Sequence, residues 1–187
     1  MEKALTKLKG YVKKAKILSI TDSLTGLLNH NQFDETLQTE INRNSRQKQP
    51  LSLAIIDIDY FKNYNDFYGH PQGDVCIKEI SNLISKTCSR AGENAYRIGG
   101  EEFAIIMPNT TGQQHYKKLK KLQSALKDKN IEHKHSKVSD SVTISIGIYS
   151  CIPEKNLKAN IYYKNADTSL YTAKEKRNSI EIFTNKD

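Results

Sequence analysis

The stretch YRIGGEEFAII, residues 96–106, contains two apolar segments joined by a pair of glycines, Gly99 and Gly100. Two such segments with two glycines between them are typical of a β-hairpin. Two adjacent carboxylates, Glu101 and Glu102, follow the glycines directly, with apolar residues on both sides. A carboxylate beside a core stays charged only if it has solvent, a partner or a metal ion. The hairpin therefore marks both a pair of strands and a candidate functional site.

Segments on both sides of this hairpin carry the patterns of strands and helices. The segment LSLAIIDI (51–58) is apolar on both faces, as in a buried strand. Apolar residues spaced by four positions, such as Phe33, Leu37 and Ile41, predict amphipathic helices. Strands are predicted at 51–58, 94–98, 101–107, 141–150 and 178–183, and helices at 33–41, 60–69, 74–88, 113–129 and 160–177.

The order of these elements predicts the fold class. It runs helix, strand, two helices, two strands, helix, strand, helix, strand. Strands separated by helices, with one hairpin, predict a mixed or antiparallel sheet with helices packed on it. The core order β-α-β-β-α-β fits a ferredoxin-like palm. We therefore expect an α/β fold of the α+β sandwich type, with a central sheet flanked by helices.

Composition and length limit the class of protein further. The 187 residues, with a hydrophobic fraction of 37%, are enough for one packed domain. No apolar run reaches the roughly 18 residues that a membrane span needs, and the first ten residues lack the apolar segment of a secretory signal. Three cysteines, Cys76, Cys88 and Cys151, show no metal or redox spacing. We expect a cytoplasmic protein with reduced thiols and no membrane span.

The charge indicates anionic partners without choosing among them. The net charge is +8, which suits nucleic acid, acidic lipid or nucleoside polyphosphate. The alternative is a solvated, lysine-rich surface with no specific partner. The sequence has no groove-reading helix motif and no platform of stacking aromatic residues, so a nucleic-acid partner is not expected.

The first residues predict a separate helical leader. Apolar residues recur at three- to four-residue spacing over 2–18, close to a coiled-coil seam, although Gly10 weakens the helix. This leader, residues 1–20, is either the stub of a dimerising coiled coil or a helix packed locally. The remaining residues, 21–187, are predicted to form the main domain.

The segment DIDYFKNYNDFYGHPQGD (57–74) contains Asp57, the first of two carboxylates from which we predict a metal site. Asp57 ends the first buried strand, and Glu101 begins another strand. If those two strands are neighbours, the two carboxylates converge and form a site for a hard cation such as Mg²⁺. The alternative is that Asp57 caps the helix that follows and that the glutamates are exposed turn residues.

The helix that follows this strand carries the pattern of a phosphate site. The backbone amides of Tyr60 and Phe61 lie at its N-terminus, and Lys62 is close by. Such amides together with a lysine can hold a polyphosphate. Asn65 and Asp74 are nearby polar residues, and an Asp beside an Asn amide can bind the edge of a guanine.

Five stretches of the chain are similar to the GGDEF family of diguanylate cyclases: DSLTGLLNHNQF, DIDYFKNYNDFYGHPQGD, YRIGGEEFAIIMP, VTISIG and ADTSLYTAKEKRN. They occur in the family's order and cover roughly residues 20–184. GGEEF is one of two common forms of the family signature. The resemblance implies the palm fold of nucleotidyl cyclases.

The resemblance also implies a reaction and a set of roles. Two GTP would condense to cyclic di-GMP and two pyrophosphates, with Mg²⁺ or alternatively Mn²⁺, in a face-to-face homodimer. The implied catalytic residues are Glu101 as general base, Asp57 and Lys62. The implied metal ligands are Asp57, Glu101 and the carbonyl of Ile58. The implied GTP ligands are Tyr60, Phe61, Lys62, Asn65, His70, Asp74, Lys174 and Arg177. His70 is alternatively a loop-packing histidine. The alternative function is that of a catalytically weak domain that binds GTP or cyclic di-GMP.

Two stretches depart from the family pattern. The family's last helix usually ends in Ala-Lys, two further residues and Gly-Arg-Asn, whereas here AKEKRN is one residue shorter and lacks the Gly. Arg177 therefore follows Lys174 by three positions, still on one helix face, and Lys176 is an alternative phosphate ligand. The inhibitory product site of many members is Arg-x-x-Asp, but Glu93 stands in place of the Asp after Arg90. We hypothesise weak or absent product inhibition there.

Overall fold

The computed structural model describes residues 20–184 and contains the predicted order of elements. The helices are α1 (His30–Gln47), α2 (Phe61–Tyr68), α3 (His70–Thr87), α4 (Gly112–Lys129) and α5 (Ala159–Lys176). The strands are β1 (Leu51–Ile58), β2 (Asn94–Arg97), β3 (Glu102–Pro108), β4 (Ile144–Cys151) and β5 (Ile180–Ile182). The leader prediction lies outside the described residues except for Ile20.

The five strands form one mixed sheet in the order β2-β3-β1-β4-β5. All neighbouring pairs are antiparallel except β4 and β5, which are parallel. Helices cover both faces of this sheet, which confirms the predicted palm-like fold. Strand β1 is central and buried at every position, so its last residues reach the end of the sheet between two partners.

The two faces of the sheet bury separate apolar clusters because successive side chains of a strand point to opposite faces. One cluster joins Ala54, Ile56 and Ile58 to side chains of α3 and α4, and the other joins Leu53 and Ile55 to side chains of α1 and α5. Helix α5 lies directly against the backbone of β4. A Cβ atom on Gly147 would be 2.1 Å from the amide nitrogen of Leu170. This close approach places the C-terminal end of α5 beside the end of β1.

Two local predictions need correction. The connection between β2 and β3 is longer than the two-residue hairpin predicted from Gly99 and Gly100, because Arg97 is opposite Phe103 in the ladder. The two-residue turns of hairpins need a positive φ, and neither glycine has one. Helix α3 begins at His70 rather than at residue 74, directly after Gly69, which has φ 81° and caps the C-terminus of α2.

Within residues 20–184, no helix is both long and apolar enough to cross a membrane.

Candidate active site at the ends of β1 and β3

Strand pairing places the predicted carboxylates at the same end of the sheet. Strands β1 and β3 are antiparallel neighbours, and Asp57 is directly opposite Glu102. Glu101 immediately precedes β3, so both glutamates lie at the same end of the sheet as Asp57. The side chain of Asp57 is buried, and Glu101 is partly exposed. The two strands are therefore neighbours, which is the condition under which we expected the carboxylates to converge.

Asp57 lies in surroundings that disfavour its charged form. Burial raises the pKa of Asp57 to about 6, and the charges of Glu101 and Glu102 add to this rise. The ammonium of Lys174 opposes it, with Nζ donating to Asp57 Oδ2 at 2.8 Å. Neighbouring carboxylates with one buried member are stabilised by a divalent cation, and their oxygens are the ligands that Mg²⁺ prefers.

The donor set limits how a metal ion would be held. Within residues 20–184, no group of three or more His, Cys, Asp or Glu side chains is arranged to hold a metal ion. Mg²⁺ usually takes one or two protein carboxylates and completes its shell with water and substrate phosphates. Two carboxylates, Asp57 and Glu101, together with the Ile58 carbonyl, fit that pattern.

Asp59 is a site residue that our sequence interpretation missed. It is fully buried and accepts hydrogen bonds from the hydroxyls of Thr143 (2.7 Å) and Ser145 (2.6 Å) and from the amide of Asn178 (2.9 Å). Its oxygens thereby tie the end of β1 to β4 and to the turn after α5. The signal in the sequence is the pair of hydroxyl residues in VTISIG, two positions apart on one strand face.

Tyr60 lies between β1 and α2 and has an unusual backbone conformation. It has φ 55° and ψ 32°, which is left-handed, and it is the N-cap of α2 without a capping hydrogen bond from a side chain. The alternative that Asp57 caps this helix is therefore wrong. Phe61 is buried, whereas Lys62 is exposed at the same helix end. Amides at a helix N-terminus without a side-chain cap can bind an anion.

The residues expected to bind guanine lie along α2 and the start of α3. The side-chain oxygen Oδ1 of Asn65 is buried without a hydrogen-bond partner in the described part of the chain. A Cβ atom on Gly73 would lie 1.9 Å from this oxygen, so α2 and α3 approach closely there. Asp74 and His70 are exposed on the first turns of α3. A buried acceptor without a partner is costly, and a ligand amino group would satisfy it.

The three basic residues near the end of α5 have different interaction partners. Lys174 pairs with Asp57, as described above. The guanidinium of Arg177 lies 4.6 Å from the ring centroid of Tyr60 and 3.4 Å from an oxygen of Asp59. Lys176 pairs with Glu181 of β5 at 3.1 Å. Lys174 and Arg177 therefore both face the end of β1, whereas Lys176 is engaged at β5.

In the candidate product site, the carboxylate of Glu93 is held by hydrogen bonds from within the domain. Glu93 is buried and accepts hydrogen bonds from the amides of Ser89 and Arg90 and from the ammonium of Lys118. Burial alone would raise the pKa of Glu93, but these hydrogen bonds outweigh burial and hold the pKa below its usual value. Arg90 itself is exposed.

Arg97 is a second residue that the sequence interpretation missed. Its Nη1 donates to Asp22 at 3.1 Å, and its Nη2 donates to the carbonyl of Gly100 at 2.8 Å. It thus connects the start of the described chain to the turn that carries Glu101. An arginine directly before a glycine turn is a weak signal unless the distant carboxylate is known.

The fold and this site together define a class: a palm domain whose central strand ends in a carboxylate pair beside a helix N-terminus. A sequence model of the family described as "Diguanylate cyclase, GGDEF domain" matches residues 19–179. The chain is 36% identical over 173 residues to Diguanylate cyclase A of Treponema denticola, covering 90% of this chain and 45% of that protein. It is 34% identical over 171 residues to Diguanylate cyclase VdcA of Vibrio cholerae, covering 91% and 48% respectively.

The coiled coil and GGDEF domain of DgcB from Caulobacter crescentus, in complex with c-di-GMP, has the same fold. Its TM-score is 0.86 at 25% identity, over 97% of this chain and 94% of that one. The chain described here belongs to the GGDEF family. It spans less than half the length of the two curated relatives named above.

Proposed function

We propose that this domain is a diguanylate cyclase that condenses two GTP into cyclic di-GMP and releases two pyrophosphates in the cytoplasm. The observation that carries this proposal is the position of Asp57 opposite Glu102 and next to Glu101, at the strand end that leads into α2. Family membership supports the same reaction.

The chain's own residues bind and orient the triphosphate. The amides of Tyr60 and Phe61 and the ammonium of Lys62 hold its phosphates at the N-terminus of α2. Asp57, the Ile58 carbonyl and Glu101 would hold Mg²⁺, or Mn²⁺ in its place. When bound, the metal neutralises phosphate charge and acidifies the attacking hydroxyl.

Residues of α2 and α3 select the base. The unpartnered Oδ1 of Asn65 accepts from the guanine amino group, and Asp74 accepts along the same edge of the base. His70 lines the pocket at the start of α3. Lys174 and Arg177 add positive charge on the phosphate side, and Lys174 exchanges Asp57 for the nucleotide when it binds.

The reaction requires two domains. Each domain holds one GTP, and the 3′-hydroxyl of one nucleotide must reach the α-phosphate of the other. Glu101 is the general base that removes the proton of this hydroxyl. Catalysis then depends on positioning and charge neutralisation, so activity requires a face-to-face homodimer.

Turnover of GTP by the purified protein tests this proposal. With Mg²⁺ or Mn²⁺ we expect pyrophosphate and cyclic di-GMP, at a rate per protein that rises with protein concentration. Asp57→Asn and Glu101→Gln should abolish product formation, whereas Glu79→Gln, at a partly exposed glutamate paired with Lys129, should not. GTP or cyclic di-GMP binding without turnover would instead support the alternative of a regulatory domain.

A further inference from the structure

Residues 130–141, which follow α4 and which we call the 130–141 loop, pack against α2. The amide of Lys134 donates to the hydroxyl of Tyr68 at 3.1 Å, and the rings of His135 and Phe67 have their centroids 4.4 Å apart. The loop therefore contacts the helix whose N-terminus is proposed to hold the phosphates.

His133 is the buried residue of this contact. Its side chain is 1% exposed, and its ring packs edge-on against the ring of Tyr64 at 5.2 Å. Its Nε2 lies 3.2 Å from the carbonyl oxygen of Tyr60. The same carbonyl accepts the amide of Tyr64 at 3.1 Å, the first hydrogen bond of α2.

The proton on this imidazole can be assigned from its surroundings. Burial lowers the pKa of His133, which favours the neutral ring. Its Nδ1 has no hydrogen-bond partner in the described part of the chain, whereas its Nε2 faces a carbonyl oxygen, which can only accept a hydrogen bond. The proton is therefore on Nε2, which donates to the Tyr60 carbonyl.

Tyr60 needs such support because its backbone is left-handed, which is unfavourable for a bulky residue. Three contacts hold it: the Tyr64 amide and His133 Nε2 at its carbonyl, and the guanidinium of Arg177 over its ring. Without His133 the carbonyl would keep only the Tyr64 amide as a donor, and the peptide between Tyr60 and Phe61 could rotate. The amide of Phe61, which belongs to that peptide, would then turn with it.

We propose that His133 is a positioning residue that fixes the Tyr60 carbonyl and thereby aims the Phe61 amide at the nucleotide's phosphates. This proposal rests on the proposed function, since it assumes that this amide binds the triphosphate. His133 acts through Tyr60 and belongs to a loop that our sequence interpretation did not connect with the site.

Replacing His133 should weaken the binding of ligands that carry phosphates and leave the binding of other ligands unchanged. His133→Phe keeps an aromatic ring against Tyr64 but removes the donor. Loss of one hydrogen bond that positions the turn should raise KM for GTP about fivefold, with kcat at saturation within about twofold of wild type. The affinity for guanosine, measured by competition, should not change. His133→Gln, which can donate from its amide, should recover most of the GTP affinity.

His135→Phe is the matched control, because His135 is exposed in the same loop and stacks on Phe67; its KM should equal that of wild type. Nitrogen NMR of the wild-type imidazole should show the Nε2-protonated tautomer without any nucleotide. A proton on Nδ1, an unchanged KM in His133→Phe, or equal losses for GTP and guanosine would overturn the proposal. Failure of wild type to bind GTP would refute the proposed function instead. If His133→Phe does not fold, the tautomer and the KM of His133→Gln still decide.

Discussion

The ammonium of Lys174 donates to Oδ2 of Asp57 at 2.8 Å, joining the last turn of α5 to the end of β1. The two residues are 117 positions apart in the sequence. The contact depends on the close approach of α5 to β4 at Gly147. It places a positive charge beside the carboxylate that we propose as a metal ligand, and it lowers the pKa of Asp57 against the larger effect of burial.

Replacing Lys174 with Met should therefore change the pH profile of GTP turnover. Only the charged form of Asp57 binds a metal, so kcat/KM of wild type should fall as pH decreases through about 6, the raised pKa of Asp57. Lys174 lowers that pKa by its hydrogen bond and its charge. Its removal should move the acidic fall of kcat/KM to higher pH and also raise KM for GTP at pH 8.5.

Lys176→Met is the matched control for that experiment, because Lys176 is exposed and paired with Glu181 rather than with the site. Its pH profile should match that of wild type. An acidic fall at the same pH in Lys174→Met and wild type would show that the ion pair does not set the pKa of Asp57.

Arg97→Lys should reduce turnover while leaving the fold intact. The guanidinium bonds Asp22 and the Gly100 carbonyl at once, and a lysine cannot reproduce this forked geometry. Loosening of the turn that carries Glu101 should lower kcat about tenfold, with faster hydrogen exchange of the Glu101 amide. Arg90→Lys, at an exposed arginine, is the control. Retention of both kcat and the exchange rate in Arg97→Lys would contradict the prediction.

Gly73→Ala should weaken recognition of the guanine base. The new methyl group would lie 1.9 Å from Oδ1 of Asn65, so the amide must rotate away from its position. We expect KM for GTP to rise about tenfold, as for loss of a hydrogen bond plus misplacement. The preference for GTP over ITP, which lacks the 2-amino group, should shrink. Competition by tripolyphosphate should not change; an equal loss for tripolyphosphate would indicate general damage to the site.

Arg90→Ala should leave the affinity for cyclic di-GMP unchanged. The carboxylate of Glu93 is committed to Lys118 and to the amides of Ser89 and Arg90, so it is not free to help an arginine grip a ligand. Glu93→Gln should instead destabilise the domain by about 2 kcal/mol, as expected when a buried, charged acceptor is neutralised. Calorimetry with the product would contradict this if it showed tight binding that Arg90→Ala abolishes.

His115 should make the domain sensitive to acid. It is fully buried, and burial, together with the nearby charge of Lys118, lowers its pKa to about 3. Its stabilising contribution is complete above the unfolded pKa of about 6.5. As pH falls from there towards 3, the unfolded state takes up a proton that the folded state does not. The free energy of unfolding should therefore fall by about 1.4 kcal/mol per pH unit from this residue.

Chemical denaturation of His115→Gln between pH 4.5 and 7.5 checks this expectation. The variant should show a shallower pH dependence than wild type even if it is less stable at pH 7, because Ser52 loses its partner at 2.8 Å. His70→Gln, at an exposed histidine, should keep the wild-type slope. Parallel curves for His115→Gln and wild type would refute the assignment.

The sequence by itself determined the element order and the family. Apolar periodicity is local, so it identified strand 51–58 and the helices around it, and five motifs in family order identified the domain. It also indicated that Asp57 and Glu101 are related, because both lie at strand ends. The extent of the β2–β3 turn was not predicted, because the backbone angles at Gly99 and Gly100 depend on the neighbouring strands.

Only the tertiary structure decided which distant groups form an ion pair or a hydrogen bond. The pairings of Lys174 with Asp57, Arg97 with Asp22 and His133 with Tyr60 each join residues at least 73 positions apart. Such pairs depend on strand register and on how closely helices approach the sheet. Periodicity along the chain carries no information on either, because it reports which face of an element is buried and not what covers that face.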